Sequence, residues 1–183
     1  DELKDKIVLT MVGRLSGEKR QDVLIEAVKQ TKYADKIQLI FAGKGPKQKS
    51  YEKLGETLKN KPIFKFCKKE QLQEILAYTD LYIHTSDAEI EAISCIEAIA
   101  TGLVPIIAKS DKSATSQFAL DERSTFEAGN SKQLAEKIEY WLDNKKERDK
   151  MEKEYAKNAQ KYSIEKSMEQ IEEMFREEIN ERI

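Results

Sequence analysis

Short apolar runs of strand length alternate with helical patterns in the first 110 residues, and this alternation constrains the fold more than any other feature. The runs "KIVLTMVG" (6–13) and "KIQLIFAG" (36–43) have the length of strands. The segment between them, "KRQDVLIEAVKQ" (19–30), has apolar residues at helical spacing. Strands that alternate with helices in this way predict a parallel sheet with helices on both faces. The predicted fold class is α/β, a Rossmann-like doubly wound parallel sheet.

The same pattern predicts the remaining elements. Further strands are expected at "PIFKF" (62–66), "LYIHTS" (81–86) and "VPIIA" (104–108), and further helices at 49–60, 69–80 and within "AEIEAISCIEAIATG" (88–102). After residue 110 we expect a loop with a short helix, and then a short strand at Ser124–Glu127. Asn130 or Ser131 should cap a helix through "KQLAEKIEYWLDN", and two extra C-terminal helices should follow at 146–161 and 164–182.

The last predicted helix, Ile164–Arg182, is dense in charged residues and has a thin apolar stripe. The stripe consists of Ile164, Met168, Ile171, Met174 and Phe175. We expect a solvated helix that lies against the domain, and docking of the stripe on a missing partner domain is the alternative. Residues 1–183 are predicted to form one domain. Because the sequence begins "DELKDK" without Met, we expect a piece of a longer protein.

Composition excludes several classes of protein. The 32 basic and 34 acidic residues give a net charge of −2, which argues against a nucleic-acid binder. No apolar run approaches the roughly 20 residues of a membrane span. Cys67 and Cys95 are far apart and show no ligand spacing, so both are predicted to be reduced thiols in the core. With no Asp-x-Asp and no His/Cys cluster, no metal site is indicated, and His84 is predicted to be structural or at a pocket edge.

Candidate binding residues follow the predicted strands, where ligands bind in open α/β sheets. In "GRLSGEK", Gly13 allows a tight turn, and Arg14 and Lys19 are cations near the start of a helix, which favours an anion. Alone, this loop favours solvated charges, because it matches neither the Walker pattern nor G-x-G-x-x-G. The turn "GKGP" (43–46) could approach a ligand closely, but such turns are common connectors.

The segment 88–102 carries three glutamates among apolar and small residues. Ser94 and Glu97 have the spacing of a capping box, which accounts for Glu97 structurally, and Glu91 fits a solvated loop. Glu89 is harder to explain, because it follows a strand that ends at the expected site. A nucleotide sugar accounts for both Glu89 and Glu97, since carboxylates accept hydrogen bonds from sugar hydroxyls and a helix N-terminus favours the diphosphate.

Glu89 and Glu97 enclose seven residues, and this resembles the Glu-x7-Glu motif of retaining glycosyltransferases with the GT-B fold. "VGRLSGEK", "IFAGKGP" and "IEAIATGLVPIIA" are similar to further motifs of that family in the same order. Over essentially its whole length, the chain resembles the C-terminal, donor-binding half of a family-4 glycosyltransferase. Its N-terminal acceptor domain would then be absent from this sequence.

The resemblance implies specific roles. Arg14 and Lys19 would bind the diphosphate and stabilise the departing nucleotide, while Glu89 would bind the donor hexose. These three are the implied catalytic residues. Glu97 would bind the ribose. The other implied donor-binding positions are Gly13, the main chain at Ala92, Ile93 and Ser94, and the border of the base at Cys67 and Leu72.

Two glycines of the family pattern are replaced here by Ile90 and Ala92. A similar replacement occurs in a branch that acts on membrane lipids, and "SATSQFALDERS" also resembles that branch, the bacterial lipid α-glucosyltransferases. The implied donor is a UDP-sugar, with UDP-glucose expected, and no cofactor is implied. Nine lysines between residues 44 and 69 are consistent with solvated charge or with an anionic membrane surface. We therefore expect a cytoplasmic protein, with peripheral attachment to the inner face of the membrane as one possibility.

Two other functions stay open. A nucleotide-sugar epimerase shares the two-domain fold and would interconvert UDP-sugars without an acceptor. A non-catalytic nucleotide-binding or protein-binding module would keep the fold but would lose nothing when Glu89 is changed.

Overall fold

The computed structural model describes residues 3–90 and 92–180 of the 183-residue chain. Glu91, for which the sequence predicts a solvated loop position, lies outside the described residues.

A parallel sheet of six strands forms the centre of the fold, and its strand order is β3-β2-β1-β4-β6-β8. Its strands are β1 (Ile7–Val12), β2 (Ile37–Ala42), β3 (Ile63–Lys65), β4 (Leu81–His84), β6 (Pro105–Lys109) and β8 (Thr125–Glu127). All neighbouring strands pair in parallel. The chain builds outward from β1 to β3 and then continues from β4 on the other side of β1. Ligands of such sheets bind beyond the carboxyl ends of the strands at this reversal, here between β1 and β4.

Seven α-helices accompany the sheet in the described residues. They are α1 (Gln21–Gln30), α2 (Gln48–Gly55), α3 (Lys69–Ala77), α4 (Ile93–Ala100), α5 (Ser131–Asp143), α6 (Lys145–Ala159) and α7 (Ile164–Asn180). Helix α1 packs against α2 and α5, whereas α4 packs against α6. Trp141, Tyr82 and Tyr155 are the largest side chains that are fully buried between these layers. The doubly wound α/β fold predicted from the sequence is confirmed.

Two details of the chain after residue 110 are also confirmed. The short strand expected at Ser124–Glu127 is β8, and the region before it contains short 3-10 helices at Thr115–Phe118 and Glu122–Ser124. Asn130 caps α5, because its side chain accepts a hydrogen bond from the main-chain N–H of Gln133 at 3.0 Å.

A small second sheet was not predicted. Strand β5 (Ala88–Glu89) pairs in parallel with β7 (Lys112–Ser113), and each has only two residues. Glu89 is therefore not a loop residue. Its backbone is fixed by Ser113 opposite it, and its carbonyl accepts a hydrogen bond from the N–H of Ala114 at 3.4 Å.

The apolar stripe of α7 is exposed, so the prediction that α7 lies against the domain is wrong. The five stripe side chains are between 44% and 79% exposed. Helix α7 contacts mainly the 3-10 helix Gln160–Tyr162, which directly precedes it. The alternative, that the stripe docks on a partner domain, stays a prediction.

Candidate functional site

A cavity of about 810 Å³ lies at the carboxyl ends of β1 and β2. Four predicted donor-binding residues line it: Gly13, Arg14, Cys67 and Leu72. Gly43, Lys44 and Gly45 of the turn "GKGP" also line it, as does Phe66 just beyond β3, which the sequence did not single out as a site residue. The ring of Phe66 is 65% exposed, and the Lys44 ammonium lies 4.4 Å from its centroid. The cavity thus has an aromatic wall and cations at its mouth.

Two glycine-containing loops pack backbone against backbone to form the floor of this cavity. Gly13 has φ +154, and its N–H donates to the Ala42 carbonyl at 3.1 Å. A Cβ atom at Gly43 would lie 1.9 Å from the Gly13 carbonyl oxygen, so no larger residue fits there without a backbone shift. The turn "GKGP" is therefore more than a connector, because it supports the loop that carries Arg14.

Lys19 and Glu89 come together at the edge of the sheet beside this cavity. Lys19 ends the 3-10 helix Gly17–Lys19, and its ammonium donates a hydrogen bond to the Glu89 carboxylate. The two side chains are only 17% and 15% exposed. Two predicted catalytic residues thus form an ion pair in the protein, whereas Arg14 is exposed.

The loop that carries Lys19 is tied to the segment that carries Glu89. Arg20 follows Lys19 in a left-handed conformation, φ 55. Its guanidinium donates to Asp87 at 2.9 Å and also to Asp22, and these two hydrogen bonds raise the pKa of Arg20. The main-chain N–H of Asp87 donates to the Glu18 carbonyl at 2.8 Å, and the Thr85 hydroxyl bonds the carbonyls of Lys19 and Arg20.

Helix α4 begins at Ile93, and the capping box predicted for Ser94 and Glu97 is wrong. The N-cap residue is Ala92, and no side chain caps the helix. Ser94 lies inside the first turn, where its hydroxyl accepts a hydrogen bond from the Tyr82 hydroxyl at 3.1 Å and faces the Val12 carbonyl at 3.5 Å. The first amides of a helix have no intrahelical acceptor, so those of Ile93 and Ser94 can serve an anion.

The structure does not bring Glu97 to the main cavity. Glu97 is partly buried on the second turn of α4 and lines a second cavity of about 720 Å³ together with Lys153 and Lys157 of α6. Ser94 and Glu97 are three residues apart and therefore share one face of the helix.

His84 lies buried next to Glu89 of the Lys19–Glu89 pair. It is 1% exposed, and its Nε2 atom is 3.7 Å from Glu89 Oε2. Burial, and secondarily the neighbouring Lys19 charge, lower its pKa to about 4. His84 is therefore a neutral imidazole at pH 7.

The two cysteines differ, and the prediction that both are core thiols is wrong for Cys67. Cys95 is buried in α4, and burial raises the pKa of its thiol. Cys67 is half-buried at the cavity wall, just beyond the edge strand β3.

The nine lysines between residues 44 and 69 are all exposed in the structure. Lys59 pairs with Asp35 at 2.7 Å. No group of three or more His, Cys, Asp or Glu side chains in the described part of the chain is arranged to hold a metal ion. Within residues 3–90 and 92–180, no helix has the length and apolarity needed to cross a membrane.

Comparison with known structures supports the fold. The catalytic domain of cholesterol-alpha-glucosyltransferase from Helicobacter pylori is 50% identical, with a TM-score of 0.83 over 86% of this chain and 99% of that one. HepE from Anabaena, crystallised with UDP-glucose, is 21% identical and has a TM-score of 0.81 over 96% of this chain and 50% of its own. The second similarity shows the fold alone.

Sequence comparison identifies the family. The yeast phosphatidylinositol N-acetylglucosaminyltransferase GPI3 subunit (Saccharomyces cerevisiae) is 30% identical over 108 residues. That match covers 54% of this chain and 24% of the yeast protein, so the chain corresponds to about a quarter of this relative. The family described as glycosyl transferases group 1 matches residues 1–162. The chain therefore belongs to the glycosyl transferases group 1 family and has the fold of a GT-B glycosyltransferase domain.

Proposed function

We propose that this chain is the donor-binding domain of a retaining glycosyltransferase that transfers glucose from UDP-glucose to a membrane lipid or sterol. The observation that carries the proposal is the convergence of three features at one edge of the sheet. These features are the cavity lined by Arg14, the Lys19–Glu89 pair and the uncapped N-terminus of α4. A nucleotide sugar needs an aromatic or apolar wall, an anion site and sugar-binding carboxylates side by side.

The base and the diphosphate of the donor would bind to different parts of this site. The base would lie in the cavity, against Phe66, Cys67 and Leu72. The diphosphate would meet Arg14, Lys19 and the first amides of α4. Preorganised positive charge on a leaving diphosphate stabilises the transition state more than the ground state, because the negative charge on that group grows as the sugar bond breaks.

The two glutamates would hold the two sugars. The Glu89 carboxylate accepts hydrogen bonds from hydroxyls of the hexose, and Glu97 accepts them from the ribose. The assignment of Glu97 requires its carboxylate to turn from the second cavity toward β1. Its helix face allows this, since Ser94 on the same face already points at the Val12 carbonyl.

The lipid acceptor is proposed from the relatives and from surface charge. The Helicobacter pylori relative is named for cholesterol, and the yeast relative for phosphatidylinositol. Exposed lysines between residues 44 and 69 would favour an anionic membrane surface by about 1 kcal/mol per cation. The acceptor would bind an N-terminal domain that is not in this chain, and the enzyme would act on the cytoplasmic face of the membrane.

Calorimetric titration of the 183-residue chain with UDP and with UDP-glucose tests the donor site. We expect both to bind, and Glu97→Ala to weaken both by roughly tenfold to a hundredfold, the range for a lost hydrogen bond to a charged group. Glu136→Ala, which removes an exposed carboxylate from α5, is the matched control and should change neither. A folded wild-type chain that binds neither nucleotide would contradict the donor site.

A product assay separates the alternatives. Incubation of this chain with UDP-glucose and a cholesterol or diacylglycerol acceptor should return both unchanged. Efficient transfer would show that the acceptor site lies in this chain, and an epimerised UDP-sugar would favour the epimerase. If Glu89→Ala left UDP-glucose binding intact, a non-catalytic module would be favoured.

A further inference from the structure

A buried polar atom that makes no hydrogen bond lies beside Glu89. His84 Nε2 is buried without a hydrogen-bond partner, and it lies 3.7 Å from Glu89 Oε2, the same oxygen that accepts from Lys19. A distance of 3.7 Å is too long for a hydrogen bond, but a movement of about 1 Å would bring it into the usual range. A buried polar atom without a partner is unfavourable, so a movement that gives Nε2 a hydrogen-bond partner would be favourable.

Donor binding would cause this movement. The inference rests on the proposed function, in which Lys19 binds the diphosphate and Glu89 binds the hexose. In the free protein these two residues are bound to each other, so the diphosphate must draw the Lys19 ammonium away from Glu89. Glu89, only 15% exposed, then loses its cationic partner at the moment when its carboxylate has to be held toward the sugar.

The position of the proton on His84 follows from its neighbours. A neutral imidazole carries one proton. With that proton on Nδ1, Nε2 would present a lone pair to the Glu89 carboxylate, which is repulsive. With the proton on Nε2, the N–H faces the Glu89 carboxylate, which is attractive.

We propose that His84 is a positioning residue for Glu89. When Lys19 moves to the donor diphosphate, the Nε2–H of His84 donates a hydrogen bond to the Glu89 carboxylate in place of the Lys19 ammonium. The exchange keeps Glu89 partnered and in place in both states. It needs only side-chain movement, because β5 fixes the backbone of Glu89 and β4 fixes that of His84.

His84 is the only histidine of the chain, so its imidazole can be observed alone. We would record long-range ¹H–¹⁵N spectra of histidine-labelled protein at pH 7. We expect the Nε2–H tautomer in the wild-type chain and a downfield shift of the Nε2 proton when UDP-glucose is added. Lys19→Met removes the ammonium without any ligand and should produce the same downfield shift. Adding Glu89→Ala to Lys19→Met should abolish it.

Binding of UDP and UDP-glucose to His84 variants provides the second readout. His84→Leu should lose about tenfold or more in affinity for UDP-glucose, while its affinity for UDP stays within about threefold. His84→Gln, whose amide nitrogen can reach the place of Nε2, should recover most of that loss. Equal losses for both ligands would indicate a structural role only and would overturn the proposal.

The two sets of results separate this proposal from the proposed function. An Nδ1–H tautomer in Lys19→Met would overturn the role of His84, whatever the chain binds. A downfield shift in Lys19→Met in a chain that binds neither UDP nor UDP-glucose would support the contact between His84 and Glu89 while contradicting the donor site.

Discussion

The Lys19 ammonium and the Glu89 carboxylate, which are 70 residues apart in the chain, form a hydrogen-bonded ion pair. The pair joins the loop after β1 to β5, across the point where the sheet reverses its direction of growth. Lys19 is proposed to bind the donor diphosphate and Glu89 the hexose. In the free protein each of these two charges is neutralised by the other, so the pair must separate before either residue can bind the donor.

Neutralising Glu89 should therefore affect UDP and UDP-glucose in opposite directions. In Glu89→Gln the Lys19 ammonium is freed for the diphosphate, so the affinity for UDP should rise by up to about fivefold, which corresponds to about 1 kcal/mol for a partly exposed ion pair. Any additional affinity contributed by the glucose should be lost. Calorimetry with both ligands measures the two effects, and Glu136→Gln on α5 should show neither. A weaker affinity for UDP in Glu89→Gln would contradict this role of the pair.

The hydrogen bond between Tyr82 and Ser94 should contribute to stability as a coupled pair. Tyr82→Phe and Ser94→Ala should each lower the free energy of unfolding by about 1 kcal/mol, and the double variant should cost less than their sum by about 0.5–1 kcal/mol. Denaturant unfolding of the four proteins measures this coupling. Asn130→Ala removes a true helix cap at a similar cost, and its effect should simply add to that of Tyr82→Phe. Additive effects of Tyr82→Phe and Ser94→Ala would contradict a stabilising hydrogen bond between the two side chains.

Stability should depend on pH through His84. Its pKa is about 4 in the folded protein against an ordinary value of 6.5, so between these values the unfolded chain binds the proton and the folded chain does not. Its contribution is therefore fully present above pH 6.5 and is lost as pH falls toward 4, at up to about 1.4 kcal/mol per pH unit and on the order of 3 kcal/mol in all.

Unfolding of the wild-type chain and of His84→Gln at pH 7.5 and at pH 4.5 measures this contribution. Both proteins contain the same carboxyl groups. Subtracting the stability change of one protein from that of the other therefore cancels the contribution of these groups to the pH dependence. We expect the wild-type chain to lose more stability on acidification. An identical loss in both proteins would mean that His84 is not neutral in the folded state.

Gly43 should tolerate no side chain, whereas Gly17 should. A Cβ atom at Gly43 would meet the Gly13 carbonyl oxygen at 1.9 Å, while one at Gly17 meets nothing within 4 Å. Gly43→Ala should lower the free energy of unfolding by at least about 2 kcal/mol, since the clash is with backbone, and it should also weaken UDP binding by displacing Gly13. Gly17→Ala is the control and should be neutral or slightly stabilising. Equal stability of the two variants would contradict the close packing of these loops.

The sheet could be predicted from the sequence because its inner strands are buried along their length. Strand β2 is buried at all six positions, and five of its six residues are apolar. The same reasoning fails at the edge of the sheet. The run "IFKFC" favours a buried Cys67, but β3 has a neighbour on one side only, and Ile63 and Phe66 are 39% and 65% exposed. The sequence contains no local signal for which strand is outermost.

The composition of the site was predictable in part, but its contacts were not. Glycines, cations and glutamates after strands indicate an anion and sugar site, and Gly13 and Arg14 do line the cavity. Strands β5 and β7 have two residues each, which is too short for any periodicity to reveal. The spacing of Ser94 and Glu97 fits a capping box. In the structure, however, the Ser94 hydroxyl accepts a hydrogen bond from Tyr82, and it does not cap the helix. The contact of His84 with Glu89 depends on how β5 folds back over the end of β4.

The left-handed backbone at Arg20 has a consequence for the thermodynamics of ligand binding. It is the one non-glycine residue with positive φ in the described parts of the chain, and that conformation costs roughly 1–2 kcal/mol. Its guanidinium bonds to Asp22 and Asp87 hold the conformation in place. The loop therefore reaches its final shape when the protein folds. Ligand binding should restrict side chains rather than main chain, and its conformational entropy loss should be correspondingly small.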